Sequence, residues 1–285
     1  MKTVGVRIPQ GLLGGCLELQ KLACLDLTGN KNWVVELSNL TKLRKLGIIG
    51  LKFNQGKSLC SLIDNMKYLQ ALNVFSDSKS ESIDLVHVTS PPKMLTRFYV
   101  SGPLLSLPTW INNLHGLVRI RLRWSNLHSD PFETLQLLPN LVELLLLEAF
   151  VGEQLNIASQ GFQKLKILHM LDLYSLKSLF IAKGSLPVLE EMSIGESKNL
   201  QLPLDIKYLP TLKTLNIYNM PPLFISSFLP TGIYDSTLKH MSNGYCQTYT
   251  LDYSSLRASV SMKFLYFMEM MMKKKVQLWS CIHEE

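Results

Sequence analysis

Side chains able to do chemistry are sparse in this chain, and their spacing argues against catalysis. The six histidines, His87, His115, His128, His169, His240 and His283, form no HExxH pair and no local grouping of nucleophile, base and acid. Catalysis needs such groups held against one another in a pocket. Each histidine therefore reads as a surface or loop residue, and the chain reads as a non-enzyme. Glu190 and Glu191 are adjacent, so their side chains leave in different directions and make no acid/base pair. The five cysteines, Cys16, Cys24, Cys60, Cys246 and Cys281, include no CxxC pair. Their odd number and wide spacing fit reduced thiols better than a disulfide framework. No metal-ligand spacing of Cys and His is present, and no cofactor is expected.

The arrangement that does stand out is Arg119-Ile-Arg121-Leu-Arg123-Trp124. In a strand, side chains alternate between two faces, so all three arginines share one of them. That is a recognition chemistry: arginine and the aromatics are enriched at interface hot spots. An acidic partner would relieve the mutual repulsion of the arginines. The same stripe also reads as solvated basic surface, partly screened by Glu143. Which elements hold it depends on the rest of the chain.

Composition gives 285 residues, 47% hydrophobic and 18% charged, with a formal charge of +7. That is enough apolar content for a sizeable core and too little polarity for general disorder. The basic balance fits an acidic partner, and equally a modest surplus of basic surface residues. No unbroken apolar run opens the chain as a signal peptide would. The stretch Met262–Met272 is interrupted by Lys263 and Glu269, and it falls short of the roughly 20 apolar residues a membrane span needs. The sequon Asn39-Leu-Thr41 has no export signal to make it meaningful. The expectation is a cytoplasmic protein without a transmembrane segment.

Self-similarity supplies the fold. With Φ apolar, Φ-x-x-Φ-x-x-Φ-x-Φ starts at Leu19, Leu40, Met66, Pro92, Leu114, Leu138, Phe162, Leu186 and Leu209, at intervals of 21, 26, 26, 22, 24, 24, 24 and 23 residues. This is the period of leucine-rich repeats. The final Φ-x-Φ alternates, so it is a short strand with both apolar side chains on one face. The leading Φ-x-x-Φ breaks that alternation, so the chain must bend there. One coil cannot bury its own leucines, and stacked coils can. The expected fold is an α/β leucine-rich-repeat solenoid, with a curved parallel sheet on the concave face and irregular or short helical segments on the convex face. Residues 1–18 read as a partial N-terminal coil, in which Val4-x-Val6 precedes Leu25-x-Leu27 by 21 residues. Residues 19–218 hold the nine repeats. Residues 219–285 form a non-repeat tail with a Met-rich basic run at Met270–Lys275, read as loosely ordered, capping or membrane-surface chain. Residues 76–93, rich in serine and charge, read as a long surface loop.

The x positions flanking each Φ-x-Φ point away from the leucines and form the surface on which solenoids bind partners. There Arg97 and Tyr99 precede Arg119, Arg121, Arg123 and Trp124, while Leu145, Leu147 and Leu171 follow as exposed leucines. Adjacent strands lie about 4.8 Å apart, so Arg97, Tyr99, Arg119, Arg121, Arg123, Trp124, Leu145 and Leu147 make one candidate partner patch. One basic strand beside apolar neighbours fits a protein partner better than nucleic acid.

Glu36-Leu-Ser-Asn-Leu-Thr-Lys-Leu-Arg-Lys-Leu-Gly-Ile-Ile-Gly50 resembles the repeat domain of plant NBS-LRR (NLR) disease-resistance receptors of the coiled-coil class, as do Leu107-Pro-Thr-Trp-Ile-Asn-Asn-Leu114 and Leu209-Pro-Thr-Leu-Lys-Thr-Leu-Asn-Ile217. The resemblance covers residues 4–218 and implies an interaction module of plant defence. Such a module senses a pathogen effector or guarded host protein, or restrains a signalling domain. The nucleotide-binding signature of those receptors, GxxxxGK[ST], has no match here, so no nucleotide is expected. The chain reads as a truncated or stand-alone piece of that architecture. The alternative is a cytosolic repeat scaffold or substrate adaptor unrelated to immunity.

Overall fold

A computed structural model gives the fold. It describes residues 5–9, 11–28, 32–201, 209–221 and 224, together with the backbone of residues 241–242 and 247–252. Most of the tail reading therefore lies outside the described residues. Two compact units divide the chain, one up to Ser125 and one from Asn126.

In the first unit β1 (Lys21–Asp26), β2 (Lys45–Leu51), β3 (Ala71–Ser76), β4 (Arg97–Ser101) and β5 (Arg119–Arg123) lie side by side in chain order, each parallel to the next. Val6 adds a parallel bridge to Leu25 ahead of them. The return paths carry α1 (Trp33–Ser38), α2 (Gly56–Asn65) and short 3-10 turns such as Thr109–Asn113. The second unit repeats the scheme with β6 (Glu143–Leu147), β8 (Ile167–Leu171), β10 (Glu191–Gly195) and β11 (Thr214–Tyr218), again parallel. Its returns contain α3 (Phe132–Leu135) and two short strands, β7 (Gln154–Ile157) and β9 (Ser178–Ile181). β12 (Met241–Ser242) pairs antiparallel with β13 (Gln247–Asp252), which pairs antiparallel with β11.

The repeat template maps directly onto this geometry. The bend demanded by Φ-x-x-Φ is a turn in which the second Φ donates its N–H to the first Φ carbonyl. Leu43 to Leu40, Leu69 to Met66, Leu117 to Leu114 and Leu165 to Phe162 do so at 3.1–3.2 Å. The strand then puts its two apolar residues inside. Leu46, Ile48, Leu72, Val74, Ile120, Leu122, Leu144, Leu146, Leu168 and Met170 are all fully buried. Edge-to-face ring pairs, Phe98 with Trp110 and Phe132 with Phe162, extend the core toward the returns. Each buried methylene contributes about 0.8 kcal/mol, so these columns supply most of the stability. Later strands end where the backbone turns left-handed, at Trp124 (φ 54°), Glu148 (49°), Asp172 (56°), Glu196 (51°) and Asn219 (45°), while in β2 Gly50 (φ 76°) lies in a break of register between Ile48 and Leu51. Outside glycine this conformation costs about 1–2 kcal/mol, which the stacked coils offset.

Four expectations need correction. First, the opening coil departs from the template register, which sets Leu25 opposite Leu46 and Leu27 opposite Ile48. Leu22 faces Leu46 and Leu25 faces Ile48. Ala23 and Cys24 thus oppose the single residue Gly47, a bulge with Cys24 at φ 59°. Second, residues 76–93 do form a long loop, but part of it is docked into the core rather than lying wholly on the surface. Ile83, Leu85 and Val88 are buried, Ile83 bridges Leu104, and Trp110 Nε1 donates to the Leu85 carbonyl at 2.7 Å. The Asp64 carboxylate fastens the far end, accepting from Thr89 N, Thr89 Oγ1 and Ser90 N at 2.7–2.9 Å. The three apolar residues hidden among the serines are what dock the segment. Third, the returns of the second unit are not only irregular or helical, because β7 and β9 form a parallel two-stranded sheet with Leu155 and Ile157 opposite Leu179 and Ile181. Alternating leucines and isoleucines at those positions give the strand period. Fourth, Cys16 and Cys60 are free thiols but Cys24 is disulfide-bonded. Its bulge takes it out of the inward leucine column.

Candidate interaction surface

Parallel pairing brings the arginines of the first unit into register. Arg97 stands opposite Arg119, Tyr99 opposite Arg121, and Ser101 opposite Arg123. The residues between them, Phe98, Val100, Ile120 and Leu122, are buried on the other side of the sheet. All four arginines are half-buried. Burial first, and the neighbouring Arg121 charge second, push the Arg123 guanidinium down to about 10. The Arg121 guanidinium carbon lies 4.8 Å from the Tyr99 ring centre, a stacked cation–π contact that orders both side chains. Trp124 sits one residue past the strand, at its left-handed exit, and the Lys79 ammonium lies 4.6 Å over its ring. Lys79 belongs to the serine-rich segment, and no nine-residue template could have found it.

Tyr99, Leu145 and Leu171 depart from expectation, with only 6%, 4% and 1% of their surface exposed. Tyr99 lies beneath Arg121. Leu171 packs by Gly195, where an added Cβ would meet Tyr218 Cβ at 2.8 Å and Leu171 Cδ2 at 3.3 Å. Leu145 stands opposite His169 in the second unit. Leu147, in the same strand, is half-buried. The sequence places these residues on the outward side correctly, but it does not show how far their neighbours cover them.

The outer face of the second unit is acidic where the first is basic, a contrast the template positions did not bring out. Glu143 and Glu191 flank Ile167 across three strands. At the strand exits Glu148, Asp172 and Glu196 follow at 24-residue intervals. Asn219 Nδ2 donates to Glu196 Oε1 at 2.5 Å. Burial, and then the charges of Asp172, Glu148 and Glu196, push the Tyr174 hydroxyl up to about 12. The useful signal was the second residue after each repeat's last Φ. Glu190 and Glu191 do diverge. Glu190 lies between Lys166 at 3.1 Å and Lys213 at 2.6 Å. Burial, then Glu143, raises the Glu191 carboxyl. A raised carboxyl opposes folding above its folded pKa and stops doing so below it. Glu191→Gln is therefore expected to raise the melting temperature at pH 7 and leave it unchanged at pH 3.5. A melt at both pH values checks this.

One grouping resembles a nucleophile with its base. Cys60, Asp84 and His87 converge, with His87 Nε2 3.1 Å from Asp84 Oδ2 and Cys60 Sγ 3.8 Å from the Asp84 carbonyl. Cys60 is fully buried, and burial pushes its thiol up to about 11. That is the reverse of an activated cysteine. Among the described residues no three His, Cys, Asp or Glu side chains form a metal site. No described helix is long and apolar enough to cross a membrane.

A family model described as a leucine-rich repeat region matches residues 1–221. The chain belongs to the leucine-rich repeat family. Its relatives include plant disease-resistance proteins. Disease resistance protein RPM1 of Arabidopsis thaliana is 25% identical over 226 residues, covering 79% of this chain and 24% of its own length. Disease resistance protein Pik-2 of Oryza sativa is 28% identical over 205 residues, covering 62% of this chain and 20% of its own. The leucine-rich repeat chain thus spans about a quarter or less of the relatives it matches. Among solved structures, the mouse RP105/MD-1 complex matches 71% of this chain and 43% of its own at 15% identity, with a TM-score of 0.38. That likeness is too loose to argue from. The repeat region is NLR-like in its sequence relations and built as stacked leucine-rich coils.

Proposed function

We propose that this chain is a cytoplasmic, non-catalytic recognition module of plant defence, and that it binds an acidic protein partner through Arg97, Arg119, Arg121, Arg123 and Trp124. The observation that carries the reading is the register: Arg97 with Arg119, and Arg121 and Arg123 on the same outward side. Like charges this close repel, and a half-buried guanidinium has lost hydration. An acidic surface offsets both costs and steers association. Tyr99 serves as the platform that holds Arg121. The proposed site is drawn from the first unit alone, without Leu145 and Leu147 of β6. The setting in defence, as effector or guarded-protein sensing or as restraint of a signalling domain, is supported by the disease-resistance relatives.

A fluorescein-labelled octaglutamate peptide tests the charge reading. Wild type is expected to bind it at low salt and to lose affinity as salt rises, since screening shortens the reach of exposed charge. Arg121→Glu should weaken binding at least tenfold, a change of about 1.4 kcal/mol. The exposed Lys67→Glu should change it less than twofold. Equal effects from both substitutions would reduce the arginine ladder to ordinary basic surface.

A further inference from the structure

The segment leaving β3 carries Ser76, Ser78, Ser80 and Ser82 around Lys79 and Glu81. It is held against the arginine face. The Ser76 hydroxyl lies 2.6 Å from the Ser78 carbonyl and 3.3 Å from the Ser101 carbonyl. Gly102 leaves the space this needs, because a Cβ there would sit 2.4 Å from Ser76 Oγ. Ser101 is the strand partner of Arg123, so the loop begins one strand away from the strand that carries that arginine. Asp77 N donates to the Leu51 carbonyl at 3.1 Å, and Glu81 N closes a turn onto the Ser78 carbonyl at 3.2 Å. Glu81 Oε1 accepts from Phe53 N at 2.6 Å. The turn thereby projects Lys79 over Trp124 and leaves Ser78 and Ser80 exposed, their hydroxyl oxygens 3.0 Å apart.

We propose that the Ser78–Ser80 hydroxyl pair is a phosphorylation site whose phosphate is received by Lys79 and Arg123. Both serines are accessible, and Glu81 stands three residues after Ser78, a pattern that suits a kinase with a basic peptide groove. The phosphoryl donor is a nucleoside triphosphate. The serine Oγ attacks its γ-phosphorus, and the bond from that phosphorus to the bridging oxygen breaks. The nucleoside diphosphate departs, and the hydroxyl proton passes to the kinase's catalytic base. The product adds about −1.5 to −2 charge and three acceptor oxygens, which form short charge-assisted bonds with guanidinium and ammonium donors. The Arg123 carbonyl accepts from Gly102 N at 2.9 Å and from Ser125 Oγ at 3.4 Å, so its backbone is fixed while its guanidinium, set beside the like charge of Arg121, gains from a phosphate. Lys79 is drawn off Trp124 and the basic face loses most of two charges. Its consequence, weaker binding of an acidic partner, rests on the function proposed above. The modification and its reception do not.

The full chain, treated with an acid-directed serine kinase and magnesium ATP, is expected to take up one phosphate, which mass mapping assigns to Ser78 or Ser80. Ser78→Ala/Ser80→Ala should take up none. By phosphorus NMR, the second phosphate pKa should fall at least 0.5 below that of a phosphopeptide spanning residues 74–84, whose value lies near about 6. Arg123→Gln or Lys79→Gln should move it back; the second, on the exposed loop, guards against misfolding of the first. Phosphate at neither serine overturns the proposal, as does a titration identical to the peptide's and indifferent to both variants. No partner takes part, so failure here leaves the acidic-partner reading to its own titration.

Discussion

Leu144→Asp is expected to remove cooperative folding of the second unit. Leu144 is fully buried in β6, opposite Leu168, and nothing beside it in the leucine column can pair a charge. An unpaired buried carboxylate costs several kcal/mol, and the lost packing adds about 2–5 more. Domains of this kind have only about 5–15 kcal/mol in total. Each coil is stabilised by its neighbours, so the loss spreads along the stack. Arg121→Gln is the matched control. It removes the contact with Tyr99, worth about 0.5–1 kcal/mol, and should lower the melting temperature by a few degrees. Circular dichroism melts separate the two cases. Comparable losses from both would mean that the inward and outward faces are assigned the wrong way round.

The second large effect is expected at Gly56, the first residue of α2. A Cβ there would meet the Asp84 carbonyl oxygen at 2.3 Å and Asp84 Cβ at 2.9 Å. Backbone cannot swing aside as the end of a long side chain can, so Gly56→Ala must displace the docked segment or the helix. Overpacking of this kind costs about 1–3 kcal/mol, and the upper end applies because the obstacle is main chain. In an undocked helix the same change would stabilise by roughly 0.5–1 kcal/mol, since alanine is the better helix former. The sign of the result is therefore decisive. Faster amide exchange at Ile83–Val88, with a lowered melting point, is the expected outcome. A raised melting point would return residues 76–93 to a loose surface loop.

Much of this architecture was legible because it is periodic. The template identified the inward columns, the bend before each strand and the outward register of Arg97, Tyr99, Arg119, Arg121 and Arg123. What it missed was aperiodic or set by neighbours. The bulge at Cys24 hides because Leu22, Leu25 and Leu27 satisfy the apolar pattern in either register. Ile83, Leu85 and Val88 lie in a serine-rich stretch whose composition outweighs three buried side chains. Lys79 reaches Trp124 from a different coil, a distance in sequence that no local pattern spans. The burial of Tyr99, Leu145 and Leu171 depends on what lies over them, and strand alternation reports only the side on which a residue stands.

In the proposed function an inward face folds the chain and an outward basic ladder recognises a partner. Pull-downs from plant extract with wild type and with the Arg119→Glu, Arg121→Glu, Arg123→Glu triple variant test it most directly. Both baits are first matched for fold by circular dichroism, and captured proteins are identified by mass spectrometry. The expected result is at least one acidic protein that wild type retains at low salt and releases as salt rises, and that the triple variant fails to retain. Identical partner sets from both folded baits would contradict it.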